Sequence, residues 1–477
     1  MRLAFFSPLP PARSGIADYS EALLASLKPL IRAEPGSDVE VFSGGHQPFD
    51  PARFDIALYH VGNNGHHGFV YETALRHPGV VVMHESNLHH LMADLTIKRG
   101  DWDAYVQECE YNGGAPAREF ALRVRRLEIG PDYEGVPMTR RLLDGARGIV
   151  VHSRFMAGEM RAAEFTGPVA VIPHGAWIPA GDRTAYRYKL GLDELTPLVG
   201  IFGFLKPYKR IAESLRAFRR LVRLVPNARM ILVGEPHPEF PVEPMIRSLG
   251  LSANVRVLGF TPISEFVGYL SACDIVLNLR YPTVGESSGT LLRALGLGKA
   301  VMVSELGSFQ EFPDDVCLKV PVGAGEEDLI FEYLNLLVSR PEVARQLGAR
   351  ARDYVARECN WDTVARQYAG FLEALVAGRG HAVETANSGA RGVELAIATP
   401  PDLVLLDLNL PGTLDGFQVC QKLRSDPTTK TVPIVIISAL DDEDSKRRAQ
   451  EAGANGYYTK PFSPMALLKE IEGRKRG

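Results

Sequence analysis

The segment Gly203-Phe204-Leu205-Lys206-Pro207-Tyr208-Lys209-Arg210 directly follows the apolar run Leu198–Phe202 and carries three cations. Cations at a strand end can neutralise a diphosphate, Arg210 through a fork of donors and the lysines as point charges. Solvated loop cations are the plainer alternative. A second segment, Tyr281 through Arg293, sets a carboxylate, Glu286, before the helix start Ser287-Ser288-Gly289. A helix N-terminus suits phosphate, and a carboxylate that accepts several hydrogen bonds suits sugar hydroxyls; a simple N-cap would need the serines but not Glu286. Ser14-Gly15 opens a helix after the first apolar run and can likewise present backbone N–H groups to an anion, although an ordinary strand-to-helix turn accounts for it too.

Histidines crowd the strand ends of the first part of the chain: His60, His66, His67, His84, His152 and His174. No HExxH or paired-cysteine spacing supports a metal site among them. His84-Glu85 follows Val80–Met83 directly and is placed to face a cleft. Neither a GxGxxG fingerprint nor a P-loop motif follows the first strand, which disfavours dehydrogenase and NTPase chemistry.

These loops need strands to hold them. Short apolar runs recur from Leu3–Phe6 through Val39–Phe42, Ile56–Tyr59, Val80–Met83, Ile149–Val151, Val169–Ile172, Leu198–Phe202, Met230–Val233, Val255–Leu258, Ile275–Leu279 and Ala300–Val303. Continuous apolar strands alternating with helices indicate parallel sheets covered on both faces. The number of runs calls for two sheets, divided near Pro173-His174-Gly175. The expected fold is α/β: two Rossmann-like domains facing across a cleft, residues 1–175 and 176–377, followed by a third region over 378–477. Ligands in such sheets bind outside the carboxyl ends of the strands.

At 477 residues the chain is long enough for several cores, and a net charge of −4 gives no reason to expect a nucleic-acid partner. The five cysteines are scattered and odd in number, which fits a reducing compartment. No leader-like segment and no bilayer-spanning run is visible, so a cytoplasmic location is expected. The basic and apolar alternation of Arg216–Leu224 admits peripheral contact with the inner membrane face, with a packed helix bearing a solvated basic face as the commoner explanation.

Taken together, residues 1–375 resemble family 4 glycosyltransferases of the GT-B fold. The resemblance rests on Ser14 through Tyr19, Val82-Met83-His84-Glu85, Val171 through Gly175, Gly203 through Arg210, Gly285 through Gly289 and the closing segment from Asn360-Trp361-Asp362. It implies retaining, metal-independent transfer from a nucleotide-diphosphate sugar to a sugar or lipid-linked acceptor held mainly by the first domain, in glycan or glycolipid assembly and without a cofactor. It assigns the cleft histidine to His84, the phosphate-clamping lysine to Lys209 and the first motif glutamate to Glu286, with Gly15, Arg210, Ser287, Ser288 and Gly289 on the donor. Two departures stand out. Phe204 occupies a position often held by arginine, leaving Lys206 or Arg210 to supply that charge, and Arg293-Ala294 stands where the second, ribose-binding glutamate belongs.

From Gly380 onward the chain resembles a response-regulator receiver domain. The matching residues are Pro401 through Asp407, Leu410-Pro411-Gly412, Asp415-Gly416, Ile437-Ser438-Ala439 and Lys460-Pro461-Phe462. Asp407 corresponds to the phosphoacceptor, Ser438 to the switch hydroxyl, Lys460 to the phosphate-binding lysine and Tyr457 to the aromatic switch. The first strand of a receiver, with its Mg²⁺-binding acidic pair, has no counterpart, so the module is expected to be a truncated, flavodoxin-like unit that does not switch by phosphorylation and is either a docking surface for a protein partner, a dimerisation surface or an evolutionary remnant. A sugar-nucleotide-binding scaffold without turnover is the alternative function, favoured by the missing glutamate and disfavoured by Lys209, Glu286 and His84. A sugar-nucleotide epimerase on the same fold is a further rival.

Overall fold

The computed structural model describes residues 1–376, 386 and 388–459, apart from residues 13, 46, 177, 179, 239, 411–413 and 439–440. The chain divides into two compact units, Met1–His381 and Ala382–Gly477.

The first unit holds two six-stranded parallel sheets. The first sheet is formed by β1 (Arg2–Phe6), β2 (Asp38–Phe42), β3 (Ile56–Val61), β4 (Val80–Met83), β5 (Gly148–Val151) and β6 (Val169–Val171), in the order β2-β1-β3-β4-β5-β6. The second is formed by β7 (Leu198–Phe202), β8 (Arg229–Val233), β9 (Val255–Gly259), β10 (Ile275–Asn278), β11 (Ala300–Ser304) and β12 (Leu318–Val320), in the order β12-β11-β10-β7-β8-β9. Strand order reverses between β1 and β3 and again between β7 and β10, and such points open a crevice at the carboxyl ends. β7 and β10 pair with Ile275 opposite Val199 and Val276 opposite Gly200, so the loops leaving them are neighbours.

The continuous apolar runs become strands because helices cover both faces of each sheet. In β4 and β7 every residue is buried. The short β12, three residues at the sheet edge, escapes a pattern search because so brief a run carries no period.

The helix Trp361–Val376 returns from the second sheet to the first. Its Val364, Ala365, Tyr368 and Leu372 are buried with Leu3, Phe5, Tyr19 and Leu23, each large apolar side chain contributing about 1.5–3 kcal/mol. The Tyr19 and Tyr368 hydroxyls meet at 3.0 Å. Gly175 makes room for this helix: a Cβ there would lie 2.4 Å from the Trp361 ring. On the amphipathic helix Ile211–Leu224, Arg216 and Arg220 pair with Glu327 and Asp328 of the helix Glu326–Ser339, so part of its basic face is matched by protein carboxylates. Among the described residues no helix is long and apolar enough to cross a membrane.

The second unit contains a parallel sheet of β13 (Val404–Asp407), β14 (Ile434–Ser438) and β15 (Gly456–Thr459) in that order. Leu406, Val419, Cys420, Leu423, Ile434 and Ile436 form its core with flanking helices.

Candidate functional site

Lys209 sits in the turn after β7 and is buried. Its Nζ donates to the Phe202 carbonyl at 2.6 Å. Gly203, at φ 87°, has a left-handed conformation that favours glycine, and a Cβ on it would come within 2.8 Å of that ammonium. Burial, reinforced by the charge of Arg280 and opposed by Glu286, pulls the Lys209 pKa down to about 7. Arg210 adopts φ 55°, and its guanidinium turns to the buried Glu326, Nε reaching Oε1 at 2.9 Å and Nη2 reaching Oε2. Glu213 lies 3.4 Å away on the same side. Lys206 is half-buried, and Phe204 is exposed.

The loop after β10 folds around a charged core. Arg280 Nη1 donates to Glu286 Oε1 at 2.8 Å and its Nη2 to Ser288 Oγ at 3.0 Å. Glu286 Oε2 accepts from the Thr283 hydroxyl at 2.6 Å and from Val284 N at 3.0 Å. Ser288 caps the helix Gly289–Gly296 by accepting from Leu291 N and donates to Asn278 Oδ1. Ser287 stands half-buried beside it. A carboxylate offers about four lone-pair sites, so these bonds leave Glu286 capacity for a further donor on Oε1.

On the facing domain a chain of imidazoles runs through the cleft wall. His152 Nδ1 lies 3.0 Å from the Ile172 carbonyl, His152 Nε2 3.2 Å from His84 Nδ1, and His84 Nε2 3.2 Å from His60 Nδ1. Burial drives the pKa of His60 and His84 well below the ordinary value and that of His152 to about 4, so all three are neutral. A carbonyl only accepts, which orders the protons: His152 carries Nδ1–H, and therefore His84 and His60 do as well. Among the described residues, no group of three or more His, Cys, Asp or Glu is arranged to hold a metal ion. Glu85, next in sequence, accepts from Asn63 N at 3.2 Å, and burial with a contribution from Glu286 raises its pKa to about 7. Gly15 begins the helix Gly15–Arg32, capped by Ser14, with open space where a Cβ would stand.

The two walls touch. Ser86 donates through both N and Oγ to the Val284 carbonyl at 2.9 Å, and Ser308 bridges Ser153 Oγ and the Gly285 carbonyl at 2.8 Å each. Gly285 is required here, since a Cβ would lie 2.4 Å from Met156 Sδ. The structure thus gathers Lys209, Glu286, Ser287, Ser288 and Gly289 at the neighbouring ends of β7 and β10, while Arg210 is turned to Glu326 and both ring nitrogens of His84 are engaged by His152 and His60. Arg280 was absent from the sequence-derived set; its signal was the one that marked Lys209, a cation just past a buried apolar strand.

In the second unit Asp407 ends β13 and Ser438 ends β14, on strands paired with Asp407 opposite Ile437. Asp407 Oδ1 accepts from Asn409 N at 3.0 Å. Tyr457 lies on β15, while Lys460 falls outside the described residues.

Residues 182–354 match the family described as glycosyl transferases group 1, and residues 362–472 match the response regulator receiver domain. The receiver match begins within the helix Trp361–Val376, whose apolar face is buried in the first unit. Among solved structures, sucrose-phosphate synthase from Thermosynechococcus elongatus is 17% identical, covers 79% of this chain over all of its own length and gives a TM-score of 0.56. HepE from Anabaena, in complex with UDP and glucose, is 18% identical, covers 78% of this chain over all of its own length and gives 0.53. Protein PilH from Pseudomonas aeruginosa is 40% identical over 100 residues, 21% of this chain and 82% of PilH. The response regulator PleD from Caulobacter vibrioides is 38% identical over 105 residues, 22% of this chain, which spans only 23% of PleD's length.

Proposed function

Because the chain joins a group 1 glycosyltransferase of GT-B fold to a segment that belongs to the response regulator receivers, we propose that it moves a sugar from a nucleotide-diphosphate donor to an acceptor hydroxyl with retention and without a metal. The observation that carries this reading is the buried Lys209 ammonium beside the Arg280–Glu286 pair and the Ser288-capped helix start, at the reversal point of the second sheet. Cations and helix N–H groups in a site closed from water stabilise a leaving diphosphate as its charge grows.

In this reading the bond from the anomeric carbon to the phosphate oxygen breaks, and the electron pair leaves on that oxygen, facing Lys209. The acceptor hydroxyl adds to the anomeric carbon from the same face and gives its proton to the departing phosphate. Glu286, fixed by Arg280 and Thr283, accepts from a sugar hydroxyl. His84 lines the opposite wall in the tautomer its neighbours impose. Gly15 leaves open space for the donor at a helix start, and the receiver segment offers a docking surface to a protein partner. The test is proton NMR of the product formed from a nucleotide α-sugar: an α-linked product supports the reading, and a β-linked product overturns the front-face mechanism.

A further inference from the structure

We propose that Arg280 is the second cation of the donor site and binds the diphosphate together with Lys209. The inference rests on the donor reading above and assigns a group that the sequence motifs did not include.

Arg280 follows the carboxyl end of β10, the strand beside β7 that leads to Lys209. Its side chain is 11% exposed, and the Tyr208 and Phe309 rings lie 5.7 and 5.5 Å from its guanidinium carbon, so the charge is held in place. A guanidinium has five N–H donors. Glu286 and Ser288 take one each, and the buried Nε–H has no acceptor among the described residues. The buried Nδ2 of Asn278, at the same strand end, also lacks an acceptor. Buried donors without acceptors are costly, and two at one strand end mark a place for an acceptor-rich group.

The charges agree. Lys209 and Arg280 face one carboxylate, Glu286, in a largely closed site, and an anion restores balance. Arg210, a further cation of the loop after β7, turns Nε and Nη2 to Glu326 and Glu213, so its charge is already matched by carboxylates. A nucleoside diphosphate supplies both the negative charge and the oxygens that the unpaired donors require. Arginine suits this position because its planar fork serves the Glu286 carboxylate, the Ser288 hydroxyl and a phosphate oxygen simultaneously.

The test is calorimetric titration of the full chain with UDP, GDP, ADP and inorganic pyrophosphate. The wild type is expected to bind pyrophosphate and at least one nucleoside diphosphate. Arg280→Gln is expected to weaken both at least about tenfold. Phe204→Arg, placed in that background, returns a cation to the exposed position beside Gly203 and Lys209 and is expected to recover most of the affinity. A role confined to holding the loop would not be rescued in this way. Affinity of folded Arg280→Gln within twofold of wild type, or no recovery with Phe204→Arg, overturns the assignment while leaving the donor reading intact. If Arg280→Gln does not fold, Arg280→Lys keeps a charge against Glu286 without the fork, and its unchanged affinity overturns the assignment equally. A wild type that binds none of the four probes overturns the donor reading itself.

Discussion

His84 and His152 share a hydrogen bond of 3.2 Å, Nδ1 to Nε2, in a site where burial keeps both rings neutral. The Ile172 carbonyl at one end sets the proton order along the whole chain to His60. A histidine held neutral has a folded pKa below its unfolded value of about 6.5. As pH falls, the unfolded chain therefore takes up protons first. The stability contribution is complete above pH 6.5 and is lost as pH falls toward 4, the value to which His67 and His152 are pulled. Thermal melts are expected to drop steeply between pH 6.5 and 5, and His152→Gln, which removes one such ring, is expected to flatten that drop. A melting temperature independent of pH over this range would show that the rings are not held neutral.

Glu286 is tied by Arg280, Thr283 and Val284 N, with its Oε1 2.8 Å from the Arg280 guanidinium. Glu286→Gln keeps the shape and removes the charge. It is expected to lower the transfer rate at least about tenfold through the loss of charge-assisted bonds, while EDTA leaves the wild type unaffected. Activity that requires an added divalent ion would overturn the metal-independent reading.

The receiver segment is expected not to act as a phosphorylation switch. Phosphoryl transfer to Asp407 needs a divalent cation held by more than one carboxylate. Asp441 and Asp442, which follow β14, do not replace the acidic pair: Asp441 is bound to Lys446 and Thr459, and Asp442 caps the helix Glu443–Glu451. Incubation with acetyl phosphate and Mg²⁺ is expected to leave both the mass and the transferase rate unchanged. A stoichiometric adduct lost in Asp407→Asn would contradict this.

Much of the fold was legible because parallel strands buried on both faces read as unbroken apolar runs: Val80–Met83 and Leu198–Phe202 have the same bounds in the structure. The edge strand Leu318–Val320 was too short to register. At the site, the loops at the ends of β7 and β10 announced themselves through cations, serines and glycines after apolar runs. Partner choice did not. Nothing near Arg210 in the sequence indicates that Glu326, 116 residues later, claims its guanidinium, or that Arg280 turns back to Glu286 across a six-residue loop step. Such pairings depend on which strands are neighbours, information carried by topology and not by local pattern.

The buried Lys209 ammonium is expected to stabilise a departing nucleoside diphosphate. The most direct test of this role is release of nucleoside diphosphate from a panel of nucleotide sugars by the full chain, compared with Lys209→Ala, across pH. Wild-type turnover is expected to fall at least about tenfold in Lys209→Ala. Donor affinity is expected to be level below pH 7 and to decline as pH rises past the Lys209 pKa of about 7, because the empty site then has to take up a proton to bind the anion. Equal release by folded Lys209→Ala, or donor affinity unchanged between pH 6 and 9, would contradict this role.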